Sequence, residues 1–157
     1  MTQATTAAWP DVLALLRQTP RTLRDLTADV SPHILRTRPA PDQWSVSEII
    51  SHLCAVEPPY RARLVRITLQ ENPYVTAIGR ITGDYDPDTP VPILIETFTS
   101  LRTSTLDFLE SLAPVARARP AVHAELGPIT LRSQVEALLA NDEEQLARIR
   151  AILDGAA

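Results

Sequence analysis

The chain has 157 residues, of which 45% are apolar and 22% are charged, and this predicts a single domain over residues 1–157 with one hydrophobic core. The net charge of -4 argues against a nucleic-acid partner, because a duplex-binding protein needs a basic surface to neutralise phosphates. Since no apolar run is long enough to span a bilayer and no secretory pattern opens the chain, we expect a soluble, cytoplasmic protein without a membrane partner.

The spacing of apolar residues predicts a first helix from about Pro10 to Ala28 and a second helix that ends near Gln70. The start of the second helix is marked by a clear local pattern. Ser45 and Glu48 have the S-x-x-E spacing of a capping box, in which each side chain binds the backbone N–H of the other residue. We therefore predict that this helix begins immediately after Ser45.

Prolines lie inside both of these predicted helices. Proline has no backbone N–H and its ring clashes with the preceding turn, so it bends or breaks a helix. Pro20 is expected to bend or interrupt the first helix. Pro58 and Pro59 predict a kink in the second helix at about residues 54–59.

Two long connections, 71–89 and 113–129, are rich in proline, glycine and other turn-forming residues, and we expect them to be irregular. Between them, apolar periodicity predicts a third helix over about 90–112. A last helix is predicted from Thr130, as its N-cap, to about Asp154. No segment alternates for long enough to predict a sheet. These elements predict an all-α four-helix bundle with long connections, in which sequential helices need not be neighbours.

The segment Arg36–Leu53 reads RTRPAPDQWSVSEIISHL, and it resembles the DinB-like/YfiT family, which typically shows R-P-x-P-x-x-W-S-x-x-E-x-x-x-H-L here. His123, the segment GPITL and the terminal QLARI are similar to the closing pattern of the same family, so the resemblance covers nearly the whole chain. It implies a YfiT-like four-helix bundle from a bacterium, often a homodimer, with a stress-response context.

The resemblance also implies a divalent metal ion, such as zinc or nickel, bound by three histidines. The first lies at the position of His52, and the other two form an H-x-x-x-H motif that aligns with Asn141 and Gln145. Residues four apart share one face of a helix, but an amide oxygen is a weaker ligand than an imidazole nitrogen. We therefore predict a degenerate metal site without a cofactor. The alternative is a zinc or nickel ion held in part by His52.

Two carboxylates are candidate neighbours of this pocket. Glu48 lies one turn from His52 and could complete a histidine-carboxylate site, although it also belongs to the capping box. Asp142 falls on the apolar stripe of the last helix, where a buried carboxylate must find hydrogen-bond donors. We expect Asp142 to bind His52 or a helix terminus.

The remaining cysteine, histidine and arginine candidates are expected to have structural roles. Cys54 lies about 200° around the helix from His52, so a thiolate-imidazole pair is not expected and Cys54 is interpreted as a buried small apolar residue. His33 and His123 lie in or near connections, where a histidine is expected to be solvated or to fix a loop. Three arginines of the second helix are expected to form a solvated surface paired with carboxylates, the alternative being a site for an anionic ligand: Arg61, Arg63 and Arg66.

The sequence leaves two functional classes open, and it does not decide whether the protein is an enzyme. The preferred hypothesis is a metal-free bundle that binds a small molecule or a protein partner through the polar pocket at His52, Asn141 and Gln145. The alternative, implied by the family resemblance, is a divalent-metal-dependent S-transferase or isomerase of the bacillithiol or mycothiol type with an altered ligand set. That chemistry needs an electrophilic metal with an open coordination position.

Overall fold

A computed structural model describes residues 7–79 and 84–156. The helices within these residues are α1 (Trp9–Thr27), α2 (Pro32–Arg36), α3 (Val46–Leu69), α4 (Val91–Ser111) and α5 (Leu131–Ala156), with a short 3-10 helix at Pro114–Ala118. The strands are β1 (Tyr74–Val75), β2 (Pro120–His123) and β3 (Gly127–Thr130). The four long helices confirm the predicted four-helix bundle. None of the described helices combines the length and apolar character that a membrane crossing requires.

The two predicted N-caps are confirmed. At the start of α3, the Glu48 N–H donates to Ser45 Oγ at 3.2 Å, and the Ser45 N–H donates to Glu48 Oε1 at 3.1 Å. At the start of α5, the Ser133 N–H donates to Thr130 Oγ1 at 3.1 Å, and the Thr130 N–H donates to Ser133 Oγ at 3.0 Å. Each pair satisfies backbone donors that a helix start otherwise leaves free. The helices that carry His52 and Gln145 therefore begin at well-defined positions.

The internal prolines do not break their helices. α1 continues through Pro20, and α3 continues through Pro58 and Pro59. Of the two outcomes predicted at Pro20, an interruption is therefore wrong. Tertiary packing holds the turn of α1 at Pro20 in place, since Pro20 is buried. The kink at residues 54–59 stays a prediction.

The helix packing separates α1 from α3 and α4 from α5, whereas α3 and α4 are neighbours. α3 and α1 each pack against both α4 and α5, so α1 and α3 occupy opposite corners of the bundle, as do α4 and α5. The core forms two apolar clusters. The first includes Leu16, Leu64, Leu106 and Leu138, and the second includes Leu23, Leu53, Phe98 and Leu146. α1 and α5 run from the first cluster to the second, whereas α3 and α4 run from the second to the first. Because α3 and α4 are parallel, the long connection between them must return along the bundle.

A small three-stranded sheet joins the two connections that were expected to be irregular. β2 pairs antiparallel with β3, and β1 pairs parallel with β2, with Tyr74 opposite Val122. The prediction that the chain contains no sheet is wrong in this detail. Strands of two to four residues are too short to show the alternation by which a strand is recognised in a sequence. The turn between β2 and β3 is fixed by His123, whose Nδ1 accepts from the backbone N–H groups of Glu125 and Leu126 at 3.1 and 3.2 Å. The predicted loop-fixing role of His123 is confirmed.

Candidate functional site

A charged layer of four side chains, Thr19, Glu57, Arg102 and Asp142, crosses the middle of the bundle. Arg102 is 1% exposed, and it lies between two buried carboxylates. It donates to Glu57 from Nε at 2.8 Å and from Nη2 at 3.1 Å, and to Asp142 from Nη1 at 2.6 Å and from Nη2 at 3.0 Å. Thr19 Oγ1 donates to Asp142 Oδ2 at 2.7 Å. Each of the four long helices thus contributes one residue to the layer.

The remaining N–H of Arg102 binds a carbonyl that a proline leaves free. Pro20 has no N–H, so the carbonyl of Leu16, four residues earlier, has no donor within the helix. Arg102 Nη1 donates to this carbonyl at 2.9 Å. All five N–H groups of the guanidinium are therefore hydrogen-bonded. Burial lowers the pKa of Arg102, but its bonds to Asp142 and Glu57 outweigh burial, so the pKa lies above its usual value and Arg102 remains charged.

The charged layer separates the two apolar clusters. Arg102 lies between Phe98 and Leu106 on α4, and Asp142 lies between Leu138 and Leu146 on α5. On α1 and α3, Thr19 and Glu57 likewise lie between residues of the first cluster and residues of the second. The guanidinium also lies over the Phe98 ring, with Cζ 4.8 Å from the ring centroid. The layer is a fully hydrogen-bonded part of the core.

Two of the residues predicted for the degenerate metal site, His52 and Gln145, lie on the second-cluster side of this layer, whereas Asn141 directly precedes Asp142 and is level with the layer. His52 is 8% exposed and Gln145 is 4% exposed, while Asn141 is half-buried. His52 precedes Glu57 by about 7.5 Å along α3, and Gln145 follows Asp142 by about 4.5 Å along α5, at 1.5 Å per residue. Because α3 and α5 are antiparallel neighbours, both displacements point towards the same end of the bundle. His52 and Gln145 therefore lie at similar heights on adjacent helices, about 3 Å apart along the bundle at 1.5 Å per residue.

We define the His52 cluster as His52, Trp44, Asn141 and Gln145, and its distinctive feature is the amide of Gln145. Gln145 Nε2 donates to Asn141 Oδ1 at 3.3 Å. Gln145 Oε1 is buried and accepts no hydrogen bond from the residues that the structure describes. The His52 ring lies against the Trp44 ring, with centroids 4.9 Å apart and an interplanar angle of 50°. A buried acceptor without a donor costs about 1–3 kcal/mol, so a donor supplied by a bound molecule would be stabilising.

The two candidate carboxylates are held by other partners. Glu48 accepts from Arg38 Nε at 2.8 Å and from Arg38 Nη2 at 2.7 Å, in addition to its capping-box bond. Asp142 is bound by Arg102 and Thr19, so the expectation that it binds His52 or a helix terminus is wrong. Periodicity identified Asp142 as buried, but it carries no information about which residue of another helix faces it.

The residues at this site do not fit a zinc or nickel ion. Within residues 7–79 and 84–156, no group of three or more histidine, cysteine, aspartate or glutamate side chains could hold a metal. The donor set of the His52 cluster is one imidazole and two amide oxygens, and Asn141 Oδ1 already accepts from Gln145. Zinc and nickel sites in proteins are built from imidazole, thiolate and carboxylate ligands.

The bond between Arg38 and Glu48 gives the start of α3 a pH-dependent stability. Hydrogen bonding to Arg38 lowers the pKa of Glu48 below its usual 4.5. A carboxylate whose pKa is lower in the folded state contributes stability above its unfolded pKa, and this contribution is lost as the pH falls through the folded pKa. We therefore expect Glu48→Gln to lower the free energy of unfolding at about pH 7, and this difference from wild type to shrink at about pH 3.

Urea unfolding of both proteins at the two pH values measures this effect. Glu96→Gln, at an exposed position of α4, is the matched control and should change the free energy of unfolding little at either pH. A difference between wild type and Glu48→Gln that does not depend on pH would contradict the assignment.

Two further candidates have structural roles. Cys54 is half-buried, its Sγ donates to the Leu94 carbonyl at 3.3 Å, and burial raises its pKa to about 11, so it is a thiol at neutral pH. Arg63 was expected on a solvated surface, but it is buried. It donates to Gln134 Oε1 at 3.0 Å and to the Thr76 carbonyl. The prediction for Arg63 is wrong because its long side chain reaches between helices to polar partners.

A cavity of about 420 Å³ lies beside the His52 cluster. Trp44 belongs to both features, since it lines the cavity while its ring lies against His52. Ile49 and Ile152 give the cavity apolar walls, and Arg148, which is paired with Glu144 at 2.7 Å, gives it a polar edge. The cavity thus offers space for a small molecule beside Trp44.

This chain resembles known proteins both in sequence and in fold. The model of the DinB superfamily matches residues 15–149. YfiT from Bacillus subtilis, described as a probable metal-dependent hydrolase with an unusual four-helix bundle topology, superimposes with a TM-score of 0.81 at 15% identity, covering 97% of this chain and 91% of YfiT. YjoA, a DinB-like protein from Bacillus subtilis, superimposes with a TM-score of 0.62 at 14% identity, covering 93% and 92%. No curated protein sequence matches. At these identities the two structures show the likeness of the fold.

Proposed function

This chain belongs to the DinB superfamily, whose model matches it over residues 15–149, and from that premise we propose that it is a metal-independent member that binds a small molecule at the His52 cluster. The observation that carries the proposal is the buried Gln145 Oε1, which accepts no hydrogen bond from any described residue. A bound molecule with an N–H or O–H group would satisfy this acceptor. The site occupies the positions at which the family resemblance implies a metal.

The surroundings of Gln145 define the class of ligand. The amide pair and His52 carry no formal negative charge, so the site does not select a cation by charge. Trp44 and the walls of the adjoining cavity provide apolar surface for a planar or aliphatic group. Pockets of this kind bind ligands through mostly apolar contacts and orient them with a few polar groups. We infer a neutral ligand that combines an apolar part with one hydrogen-bond donor.

The alternative function is a divalent-metal-dependent enzyme. The resemblance implies an S-transferase or isomerase that acts on a bacillithiol- or mycothiol-type thiol, and the similar YfiT structure is described as a probable metal-dependent hydrolase. The retained His52 favours this alternative. In each case the metal would act as a Lewis acid with an open coordination position, and the residues at this site do not fit such a metal.

Two arms of one experiment test the proposal. In the first, untagged protein is examined by elemental analysis and then titrated with zinc and with nickel, for wild type and His52→Ala. We expect no stoichiometric metal and no saturable binding at micromolar metal. One equivalent of metal that is lost in His52→Ala would instead support the metal-dependent enzyme.

In the second arm, binding of benzamide and of methyl benzoate is compared by ligand-observed NMR in the presence of EDTA. The amide N–H can donate to Gln145 Oε1 and the ester cannot, so benzamide is expected to bind about five-fold more tightly. Gln145→Leu should remove this preference, and Gln18→Leu, at an exposed position of α1, should retain it. An ester and an amide that bind wild type equally would contradict the proposal.

The proposal extends to the cellular form of the protein. The family resemblance and the acidic composition support a cytoplasmic homodimer that has no nucleic-acid or membrane partner. A dimer would not alter the assignment of the His52 cluster, since all four of its residues come from one chain. The stress-response context also rests on the resemblance.

A further inference from the structure

A second cavity, of about 550 Å³, lies at the end of α1, beside α2 and the start of α4. The His52 cluster lies between α3 and α5, whereas this cavity lies against α1 and α4, which form the opposite edge of the bundle. The two sites therefore share no residue. A volume of this size is within the usual range of small-molecule pockets, about 300–1,000 Å³.

The cavity has an apolar floor. Leu35, Val91 and Ile95 line it, and all three are buried members of the second apolar cluster. Val30 packs against the same cluster and adds to the wall. A ligand with a hydrocarbon part would cover this apolar surface, and burial of apolar area is favourable by about 25 cal/mol per Å².

The charge at the cavity comes from two arginines on different helices. Arg24 of α1 and Arg36 of α2 both line it, and both are exposed. In the part of the chain that the structure describes, neither guanidinium has a hydrogen bond or an ion pair, whereas Arg17, Arg38 and Arg148 are paired with carboxylates. Asp88 is the acidic residue of the lining, so the formal charge of the cavity is positive. The planar guanidinium group matches the geometry of a carboxylate.

We propose that this cavity is a binding site for an amphipathic carboxylate, a molecule with a hydrocarbon body and one carboxylate group. The body covers the floor formed by Leu35, Val91 and Ile95. The carboxylate pairs with Arg24 and Arg36, and its two oxygens accept hydrogen bonds from the two guanidinium groups. This site is separate from the His52 cluster and does not depend on the function proposed there.

The probe is octanoate, kept below its micelle concentration, with 1-octanol as the uncharged molecule of similar shape. Calorimetry on wild type is expected to show that octanoate binds about ten-fold more tightly than octanol. Arg24→Gln and Arg36→Gln should each weaken octanoate about ten-fold and leave octanol unchanged. Asp88→Asn should strengthen octanoate, because it removes a repelling charge.

Three matched variants decide whether the cavity itself is the site. Arg21→Gln changes an exposed arginine of the same helix that does not line the cavity, and it should bind octanoate as wild type does. Ala28→Trp places a large side chain at an exposed lining position and should abolish binding. His52→Ala should bind octanoate normally. Circular dichroism establishes that each variant is folded.

Several results would overturn the proposal. These are the absence of octanoate binding to wild type, equal affinity for octanoate and octanol, and a loss in Arg21→Gln as large as that in Arg24→Gln. Loss of octanoate binding in His52→Ala, with retention in Arg24→Gln and Arg36→Gln, would place the molecule in the His52 cluster and would also overturn it.

Discussion

Replacing Arg102 by leucine is expected to lower the free energy of unfolding by about 3–5 kcal/mol. The substitution leaves the buried carboxylates of Glu57 and Asp142 without their cation, and it removes the donor that binds the Leu16 carbonyl. A buried charge without a partner is far more costly than the net contribution of the intact pair. Urea unfolding at neutral pH, followed by circular dichroism, measures the difference.

Two controls separate the effect of the charged layer from a general loss of arginine. Arg17 of α1 and Glu110 of α4 form an ion pair on the surface, so Arg17→Leu is expected to cost only about 0–1 kcal/mol. The triple variant Glu57→Leu/Arg102→Leu/Asp142→Leu removes the three charges of the layer together and should recover most of the stability. If Arg102→Leu were no more destabilising than Arg17→Leu, the buried carboxylates would not depend on Arg102 for their stabilisation, and the prediction would be wrong.

The double substitution Asn141→His/Gln145→His is expected to create a zinc site. It gives α5 the H-x-x-x-H motif opposite the buried His52, and three imidazoles with one open position are an established zinc ligand set. Changes to groups that only support the ligands alter metal affinity about 10–100-fold. Exchange of two ligands should therefore raise zinc affinity more than about a hundred-fold, to one equivalent bound at micromolar zinc. Calorimetric titration of wild type and variant measures this gain.

The control for this prediction changes the spacing. Asn141→His/Glu144→His places the second imidazole about 100° around α5 from position 145, on an exposed face, and should not bind zinc. Adding His52→Ala to the productive double variant should abolish its zinc binding. A folded Asn141→His/Gln145→His protein that binds no zinc would show that His52 does not face the α5 positions as inferred.

Local sequence patterns predicted the features that depend on residues close together in the chain, such as helices and their caps. The caps at Ser45 and Thr130, the four long helices and the membership of the superfamily are confirmed. β1, β2 and β3 were missed because strands of two to four residues have no detectable period. Pro20 was interpreted only as a helix breaker, whereas its missing N–H leaves an acceptor that Arg102 uses. That role depends on α4 and cannot be read from α1.

The charged layer could have been found in part. Arg102 follows Phe98 by four residues and precedes Leu106 by four, so it falls on the apolar stripe of α4, as Asp142 does on α5. A buried charge on one stripe requires an opposite charge on another, which would have made Arg102 the expected partner of Asp142. Glu57 gives a weaker signal, because Pro58 and Pro59 directly after it predict a local distortion of the helix, and the face on which Glu57 lies is then less certain from periodicity. Which helices become neighbours is decided by the long connections, and periodicity does not report it.

The charged layer also fixes the longitudinal register of the bundle. A slide of α4 by one turn would move Arg102 about 5.4 Å along its neighbours and break its bonds to three other helices at once. Layers of leucine alone tolerate such a slide, because one leucine can replace another in a hole of the facing helix. Since α3 and α5 are each bonded to the same guanidinium, the relative heights of His52 on α3 and Gln145 on α5 are set from a common point about one to one and a half turns away.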